Sequence, residues 1–340
     1  MTQTHLRKAV GPRSQSAQRF IPVALALAAI AAVLAIALSA PRVHAAEGEE
    51  PEVAEPVNDS TQTKDGLVLR YTFYPGKGDN KTVPIILLHG FKGQRGVYDA
   101  FASYLQRQGH AVIVPDLRGH GDSTRYADTE KPALDDPDRL KTTDFVGMNL
   151  YDLEAIKKLL MDKHNEGELN IELLCVVAAD ASTIVAVNWA VQDWSWPQLP
   201  SIKQGQDVKA LVLLSPERSF KGYNCTRALS GDLMRAKYPV KLSILIAVGQ
   251  KDAEERREAR NLFNQLERAY PKPELPADPT PEDRFKVQFL YWAPADTELQ
   301  GTELLDPRLD LGVAEFISDF IKYRLAETVD QYPWRERRSP

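Results

Sequence analysis

Three polar residues of this sequence each follow an apolar run, and their side-chain types decide which chemistry the chain can perform. Asp180, Asp252 and Gln300 are these residues. A carboxylate at such a position can act as a nucleophile, a general base or a metal ligand. A glutamine cannot accept a proton at neutral pH, so Gln300 can only form hydrogen bonds.

The stretch around Asp180 predicts a strand, a sharp turn and a helix. An apolar run ends at Ala178, and a small-residue helix is expected to begin near Ser182. A turn of this kind exposes its apex residue at the carboxyl end of the strand. Asp180 is therefore predicted to stand at the apex.

Strand and helix signals alternate over residues 67–325, which predicts a mostly parallel sheet covered by helices on both faces. A long helix is predicted over 144–164 and a final amphipathic helix near Phe316. Between Pro216 and Leu242 there is room only for a short helical cover. The predicted strands are 67–74, 83–88, 111–114, 169–178, 208–214, 242–248 and 285–292.

Three motifs in this order resemble those of the α/β-hydrolase superfamily. Residues 88–91, Leu-His-Gly-Phe, resemble its oxyanion loop, and residues 116–121, Asp-Leu-Arg-Gly-His-Gly, resemble its D-x-R-G-x-G turn. Residues 178–182 resemble its nucleophile elbow, usually spelled Gly-x-Ser-x-Gly. The resemblance implies an α/β-hydrolase fold with a mostly parallel central sheet and a minimal lid, over a domain of residues 65–327.

The same resemblance implies a role for each candidate residue. Asp180 takes the nucleophile position, Asp252 the position of the triad acid and Gln300 the position of the triad histidine. The backbone N–H groups of Phe91 and Ala181 take the positions of the oxyanion-hole donors. For Asp252, an N-cap on the charged helix that follows it is an equal alternative.

The general base of such an enzyme is missing from its usual position. No histidine occurs beyond His164, and Gln300 cannot replace one. His89 is expected to pack beneath the oxyanion loop, and His120 to lie near the mouth of the cleft. A substitute base from one of these two residues is an open alternative.

Asp180 itself has several alternatives. Haloalkane dehalogenases and epoxide hydrolases of this fold use an Asp nucleophile, but their elbow usually reads Asp-Trp-Gly and they need a histidine to release the ester. Asp180 could instead cap the helix and fill the oxyanion hole. It could also flank a cation with Asp252, although two carboxylates alone specify no metal. Ser182 lies two residues too far into the helix to be the nucleophile, and Ser215 is expected to be structural.

Charge excludes one class of partner. The chain has 340 residues and a net charge of −5. Residues 1–45 contain five basic and no acidic residues, so the rest carries 37 basic against 47 acidic residues, a net charge of −10. An acidic domain is repelled by polyanions, which argues against binding nucleic acid.

The N-terminal residues 1–45 resemble a signal peptide. A basic start precedes an apolar run over 20–38, and Val43-His44-Ala45 forms a small-residue cleavage site. An uncleaved membrane anchor is the alternative, and either form predicts export to the periplasm or beyond. Residues 46–64 are predicted to be an acidic disordered linker. Residues 328–340 are predicted to be a loose tail, in which only Trp334 could dock.

The sequence therefore predicts an exported α/β-hydrolase-fold protein that is catalytically impaired or non-catalytic. An atypical ester or amide hydrolase, or an Asp-nucleophile hydrolase acting on an sp3 carbon, are the alternatives. The partner is an unidentified small molecule or protein, with membrane contact only if the N-terminal segment is uncleaved, and no cofactor is indicated. Cys175 and Cys225 are expected to be buried thiols and not a disulfide.

Overall fold

An eight-stranded sheet forms the centre of the fold. The structure is a computed structural model and describes residues 53–197, 199, 203–236 and 240–337. The order of strands across the sheet is β1-β2-β4-β3-β5-β6-β9-β10. The strands are β1 (Val57–Gln62), β2 (Val68–Tyr74), β3 (Pro84–Leu88), β4 (Ala111–Pro115), β5 (Leu174–Ala179), β6 (Val208–Leu214), the short pair β7 (Ser219–Phe220) and β8 (Tyr223–Asn224), β9 (Ser243–Gly249) and β10 (Leu290–Ala295).

The sheet is parallel from β4 to β10, whereas β1 and β2 run antiparallel to their neighbours. All residues of β3, β5, β6 and β9 are buried, as expected for strands covered on both faces. The predicted parallel sheet is confirmed. The carboxyl ends of its strands meet at one edge, and the candidate site lies there.

Helices cover both faces of the sheet and enclose two apolar cores. Side chains of α3, α4 and α6 pack in one core, and those of α1 and α8 pack in the other. The helices are α1 (Asp99–Arg107), α2 (Thr142–Gly147), α3 (Leu153–Asn165), α4 (Ser182–Ser195), α5 (Thr226–Leu229), α6 (Ala253–Glu267), α7 (Pro281–Val287) and α8 (Val313–Arg324).

Three predicted elements differ from those observed. The strand predicted over 169–178 starts at Leu174, after a 3-10 turn at Ile171–Leu173. The helix predicted over 144–164 is interrupted by a π-helical turn at Met148–Asp152, which separates α2 from α3. The strand predicted over 285–292 starts later, at Leu290, because a Thr280 capping box begins helix α7 just before it.

The prediction of a disordered linker over 46–64 is wrong for its second half. Residues 57–62 form the edge strand β1, which pairs along its whole length with β2. The Thr72 hydroxyl also donates to Asn58 Oδ1 at 2.7 Å. Main-chain hydrogen bonds hold an edge strand of this kind, so it needs no apolar pattern that a sequence would display.

The C-terminal residues 332–337, predicted to be loose, are docked on the fold. Trp334 Nε1 donates to the His164 carbonyl at 3.0 Å. Arg337 is only 4% exposed, and its guanidinium binds Glu172 at 2.6 Å and Asp207 at 2.8 Å. These acids lie at the amino ends of β5 and β6, the edge of the sheet opposite Asp180.

The contacts of Arg337 belong to a buried ion cluster. Lys157 binds Asp193 and Asp207, and Lys203 binds Glu172 and Asp207. Burial alone would raise the pKa of Asp207, but the neighbouring cations hold it well below its usual range. The members of this cluster are the cations Lys157, Lys203 and Arg337 and the carboxylates Glu172, Asp193 and Asp207.

Both cysteines, Cys175 and Cys225, are buried and unpaired. None of the helices in the described ranges is long and apolar enough to cross a bilayer. The predicted signal or anchor over 1–45 lies outside the described residues.

Candidate active site

Asp180 occupies the apex of a strained turn between β5 and α4. Its φ of 51° lies in the left-handed region, which costs free energy for a residue with a side chain. The turn is held by Asp180 N, which donates to the Leu214 carbonyl at 3.0 Å, and by the Thr183 hydroxyl, which donates to the Asp180 carbonyl at 2.6 Å. This strand-turn-helix geometry is the one predicted from the sequence.

Ser182 supports the turn from beneath. It is 3% exposed, its hydroxyl lies 3.0 Å from the Leu88 carbonyl and 2.8 Å from the Ala179 carbonyl, and it accepts from Ala179 N. The hydroxyl thus ties the ends of β3 and β5 to the helix. A residue held in this way has a structural role.

The carboxylate of Asp180 lies between two glycines. A Cβ built on Gly90, in the oxyanion loop, would collide with Asp180 Oδ2. A Cβ on Gly301 would collide with both carboxylate oxygens, and Gly301 also has a φ of 55°. Both positions therefore require glycine while Asp180 keeps this orientation.

The surroundings of Asp180 are negative and largely dry. Burial, together with the charges of Glu255 and Glu303, raises the pKa of Asp180 to about 7. Burial likewise raises the pKa of Glu217 to about 7, with Asp180 and Glu255 adding to the effect. Asp180 consequently holds a proton to a higher pH than an exposed aspartate does.

The Asp180 carboxylate does not cap helix α4. Within the described ranges, it accepts no hydrogen bond, and α4 has no side-chain cap. The backbone N–H groups of Phe91 and Ala181 also donate to no acceptor in that part of the chain. The hypothesis that Asp180 fills the oxyanion hole is therefore wrong, because its side chain turns toward Gly90 and Gly301 instead.

Gln300 is fixed by hydrogen bonds to the ends of two strands. Its Oε1 accepts from the Ser215 hydroxyl at 2.6 Å and from Gly249 N at 3.1 Å, and its Nε2 donates to the Gly249 carbonyl at 3.0 Å. The Ser215 hydroxyl in turn accepts from Gly301 N at 2.8 Å. Ser215 and Gln300 thus brace the loop that carries Gly301, and Gln300 makes no hydrogen bond to Asp180.

Asp252 caps helix α6. Its Oδ1 accepts from Glu254 N at 2.9 Å and from Glu255 N at 3.1 Å. These are the contacts of a helix N-cap. The hydrogen bonds of Asp252 are therefore those of the N-cap alternative. The structure does not bring Asp252, Asp180 and Gln300 together into a hydrogen-bonded triad.

The two nearby histidines are engaged beneath the oxyanion loop. His89 Nε2 accepts from Leu117 N at 3.0 Å, and its Nδ1 lies 2.8 Å from the Gly90 carbonyl. Burial lowers the pKa of His89 to about 4. His120 Nδ1 lies 3.0 Å from the Arg118 carbonyl, and burial lowers its pKa as well. His120 Nε2 is buried and has no hydrogen-bond partner among the described residues, and neither ring forms a hydrogen bond with Asp180.

A short hairpin, β7 and β8, covers the oxyanion loop. The Phe220 ring lies 4.7 Å from the Phe91 ring, and Lys221 Nζ lies 4.7 Å from the same ring centroid. This hairpin and helix α5 are the minimal lid.

Several residues of the site were not anticipated. Glu217 and Glu303 belong to no motif, and their charges act on Asp180 only because the fold brings distant strand ends together. Tyr98 shows only helical spacing in the sequence, yet its hydroxyl donates to the Leu88 carbonyl at 3.0 Å behind the loop. No group of three His, Cys, Asp or Glu side chains suited to a metal ion occurs within the described ranges.

The chain has the α/β-hydrolase fold. A family model described as alpha/beta hydrolase fold matches residues 83–192, a segment that contains the oxyanion loop and the elbow but neither Asp252 nor Gln300. A comparison with curated proteins finds no match.

Solved structures give the same fold. A highly thermostable carboxyl esterase from Bacillus coagulans, in complex with glycerol, is similar with a TM-score of 0.51 at 11% identity, over 80% of this chain and 99% of that chain. DcsB, in complex with its substrate analogue, is similar with a TM-score of 0.50 at 15% identity, over 80% of this chain and 100% of that one. Likeness at these identities concerns the fold alone.

Proposed function

We propose that this chain is an exported hydrolase homologue that has lost serine hydrolysis and acts as a catalytically impaired or non-catalytic binding protein. One observation carries the proposal. The Gln300 amide at the position of the triad histidine is bound to Ser215 and Gly249, so the residue at that position supplies no proton acceptor to the apex of the elbow.

The missing acceptor affects both halves of an acyl transfer. In the first half a base must take the proton of the nucleophile, and in the second it must activate water to release the acyl group. Asp180 needs no base to become a nucleophile, but the release step still does. Turnover is therefore expected to fail even where the first bond forms.

The elbow nevertheless retains features that suit a bound ligand. The Phe91 and Ala181 N–H groups are free to donate, and Asp180 in its protonated form can donate as well. Such donors suit a carbonyl or similar oxygen of a small molecule or of a protein partner.

Serine-directed chemistry tests the proposal. Purified protein is treated with a fluorophosphonate probe and assayed with a short-chain nitrophenyl ester, beside D180A and D180S/Q300H. We expect no labelling and no saturable hydrolysis by the wild type or D180A. D180S/Q300H, which restores both residue types, is expected to gain labelling. Saturable hydrolysis by the wild type that disappears in D180A would overturn the proposal.

A second candidate function rests on the unbonded carboxylate at the strained apex. As a nucleophile, Asp180 would attack an sp3 carbon of an alkyl halide, forming a C–O ester bond while halide leaves. Since no base activates water for release, the ester would persist. After incubation with a primary alkyl bromide, intact mass spectrometry would detect one alkyl group per chain, mapped to Asp180 and absent from D180N. An unmodified mass excludes this candidate.

Export is proposed from the N-terminal 45 residues. Cleavage after Ala45 would give a mature protein beginning at Ala46. The intact mass of the protein recovered from the exported fraction tests this. A mass that includes residues 1–45 would instead identify a membrane anchor, which is also the only form expected to contact the membrane.

A further inference from the structure

A polar trough runs along the outer strands of the sheet, separate from the elbow. Two adjoining cavities of about 480 and 500 Å³ share Asn58, Arg95 and Asp122 in their walls. None of the residues that line them belongs to the elbow or to the Gln300 loop. Arg70 and Arg125 line the second cavity, which we call the Arg70–Arg125 trough.

The register of the strands places these two arginines on the same face. Leu67 lies opposite Tyr126 in an antiparallel bridge, and Val68 N donates to the Arg125 carbonyl at 2.9 Å. Arg125 is therefore opposite Val68, and Arg70 is the next residue along β2 on that face. Diagonal neighbours of this kind are roughly 7–8 Å apart at their Cα atoms, so one small ligand can reach both guanidinium groups.

The charge balance of the trough differs from that of the chain. Arg95 is neutralised by Asp116 and Asp122. Arg70 and Arg125 are exposed and, in the ranges that the structure describes, form no ion pair. Two unpaired guanidinium groups thus share one cavity, although residues 46–340 carry a net charge of −10. The carboxylate of Asp59, which also lines the cavity, accepts from Ser60 N at 2.7 Å and from the Tyr71 hydroxyl at 3.4 Å.

We propose that the Arg70–Arg125 trough is a binding site for a small dianion whose charge lies on oxygen, such as a phosphate compound or a dicarboxylate. The planar guanidinium matches the paired oxygens of both groups. Asn58 and Thr124, which also line the cavity, supply polar atoms for the remaining oxygens. The site is independent of any chemistry at Asp180.

Calorimetric titration of the full chain at pH 8 with inorganic phosphate, and separately with succinate, tests the proposal. Either anion is expected to bind, and the tighter of the two identifies the source of the charge. R70Q and R125Q are each expected to weaken binding about tenfold. R268Q, which removes an exposed arginine at the C-terminal end of helix α6, is the matched control and should bind the anion as tightly as the wild type does.

Both substitutions lie on the surface, so unliganded thermal stability should be unchanged and a loss of binding can be assigned to the lost charge. Binding should also weaken as sodium chloride is raised. The proposal is overturned if neither anion binds to the wild type, or if R70Q/R125Q binds as tightly as R268Q.

Discussion

The Ser215 hydroxyl donates a hydrogen bond of 2.6 Å to the side-chain oxygen of Gln300. Ser215 ends β6 with a φ of 46°, and Gln300 also binds both main-chain groups of Gly249 at the end of β9. Gln300 therefore serves as a brace between two strand ends. The brace also fixes Gly301 against the Asp180 carboxylate.

Removing this brace should destabilise the fold. Q300A deletes the hydrogen bonds to Ser215 and Gly249, and we expect a loss of about 1–3 kcal/mol in the free energy of unfolding. Urea denaturation measures the change. Q331A, at an exposed glutamine near the C-terminus, is the control and should stay within about 0.5 kcal/mol of the wild type. Equal stability of Q300A and Q331A would contradict the brace.

Asp180 should make stability depend on pH. The folded pKa is raised from 3.8 to about 7, so the folded state binds more protons in this range and stability falls as the pH rises through it. D180N removes this loss. We expect D180N to exceed the wild type in stability by on the order of 2 kcal/mol at pH 8, and by much less at pH 4. Denaturant midpoints across this pH range provide the measurement, and a difference that does not vary with pH would disprove the assignment.

The close approach of Gly90 to Asp180 predicts coupling between the two positions. G90A forces its methyl group against Asp180 Oδ2 and should cost about 1–3 kcal/mol. In a D180A background the collision is removed, so the cost should fall by at least about 1 kcal/mol. G96A is the control, since its nearest heavy atom would lie at 3.7 Å. Additive effects of G90A and D180A would show that the carboxylate does not occupy this position.

Arg337 should contribute more to the free energy of unfolding than an exposed arginine beside it does. R337A leaves Asp207 and Glu172 buried with one cation fewer, and we expect a loss of about 3–5 kcal/mol in the free energy of unfolding. R335A is the matched control, because Arg335 is exposed and only its carbonyl contacts the fold. Thermal melts of the two variants give the comparison. A melting temperature for R337A that equals that of R335A would refute this role.

The sequence predicts the parallel core of the fold well because each strand that is buried on both faces is a run of apolar residues. The turn at Asp180 is also predictable, since an apolar run must end before a small-residue helix begins. The edge strand β1 is not, because main-chain pairing holds it and its side chains are polar. The docking of Arg337 is not predictable from the sequence either, since its partners Glu172 and Asp207 are more than a hundred residues away along the chain.

In the candidate site, too, some features can be predicted from the sequence and others cannot. The prediction that Asp180, Asp252 and Gln300 take these positions rests on motif order alone. The direction of the Asp180 carboxylate cannot be predicted from the sequence, because it is set by two glycines from different loops. The N-cap role of Asp252 was one of two alternatives, and only the fold decides between them.

The docked C-terminal arginine has a practical consequence for anyone preparing this protein. A carboxypeptidase that trims past residue 337 would leave three buried acids facing Lys157 and Lys203 alone. Intact and trimmed molecules in one batch should then melt at two separate temperatures. Heterogeneity at the C-terminus, which is normally treated as harmless, would here divide a sample into two species of different stability.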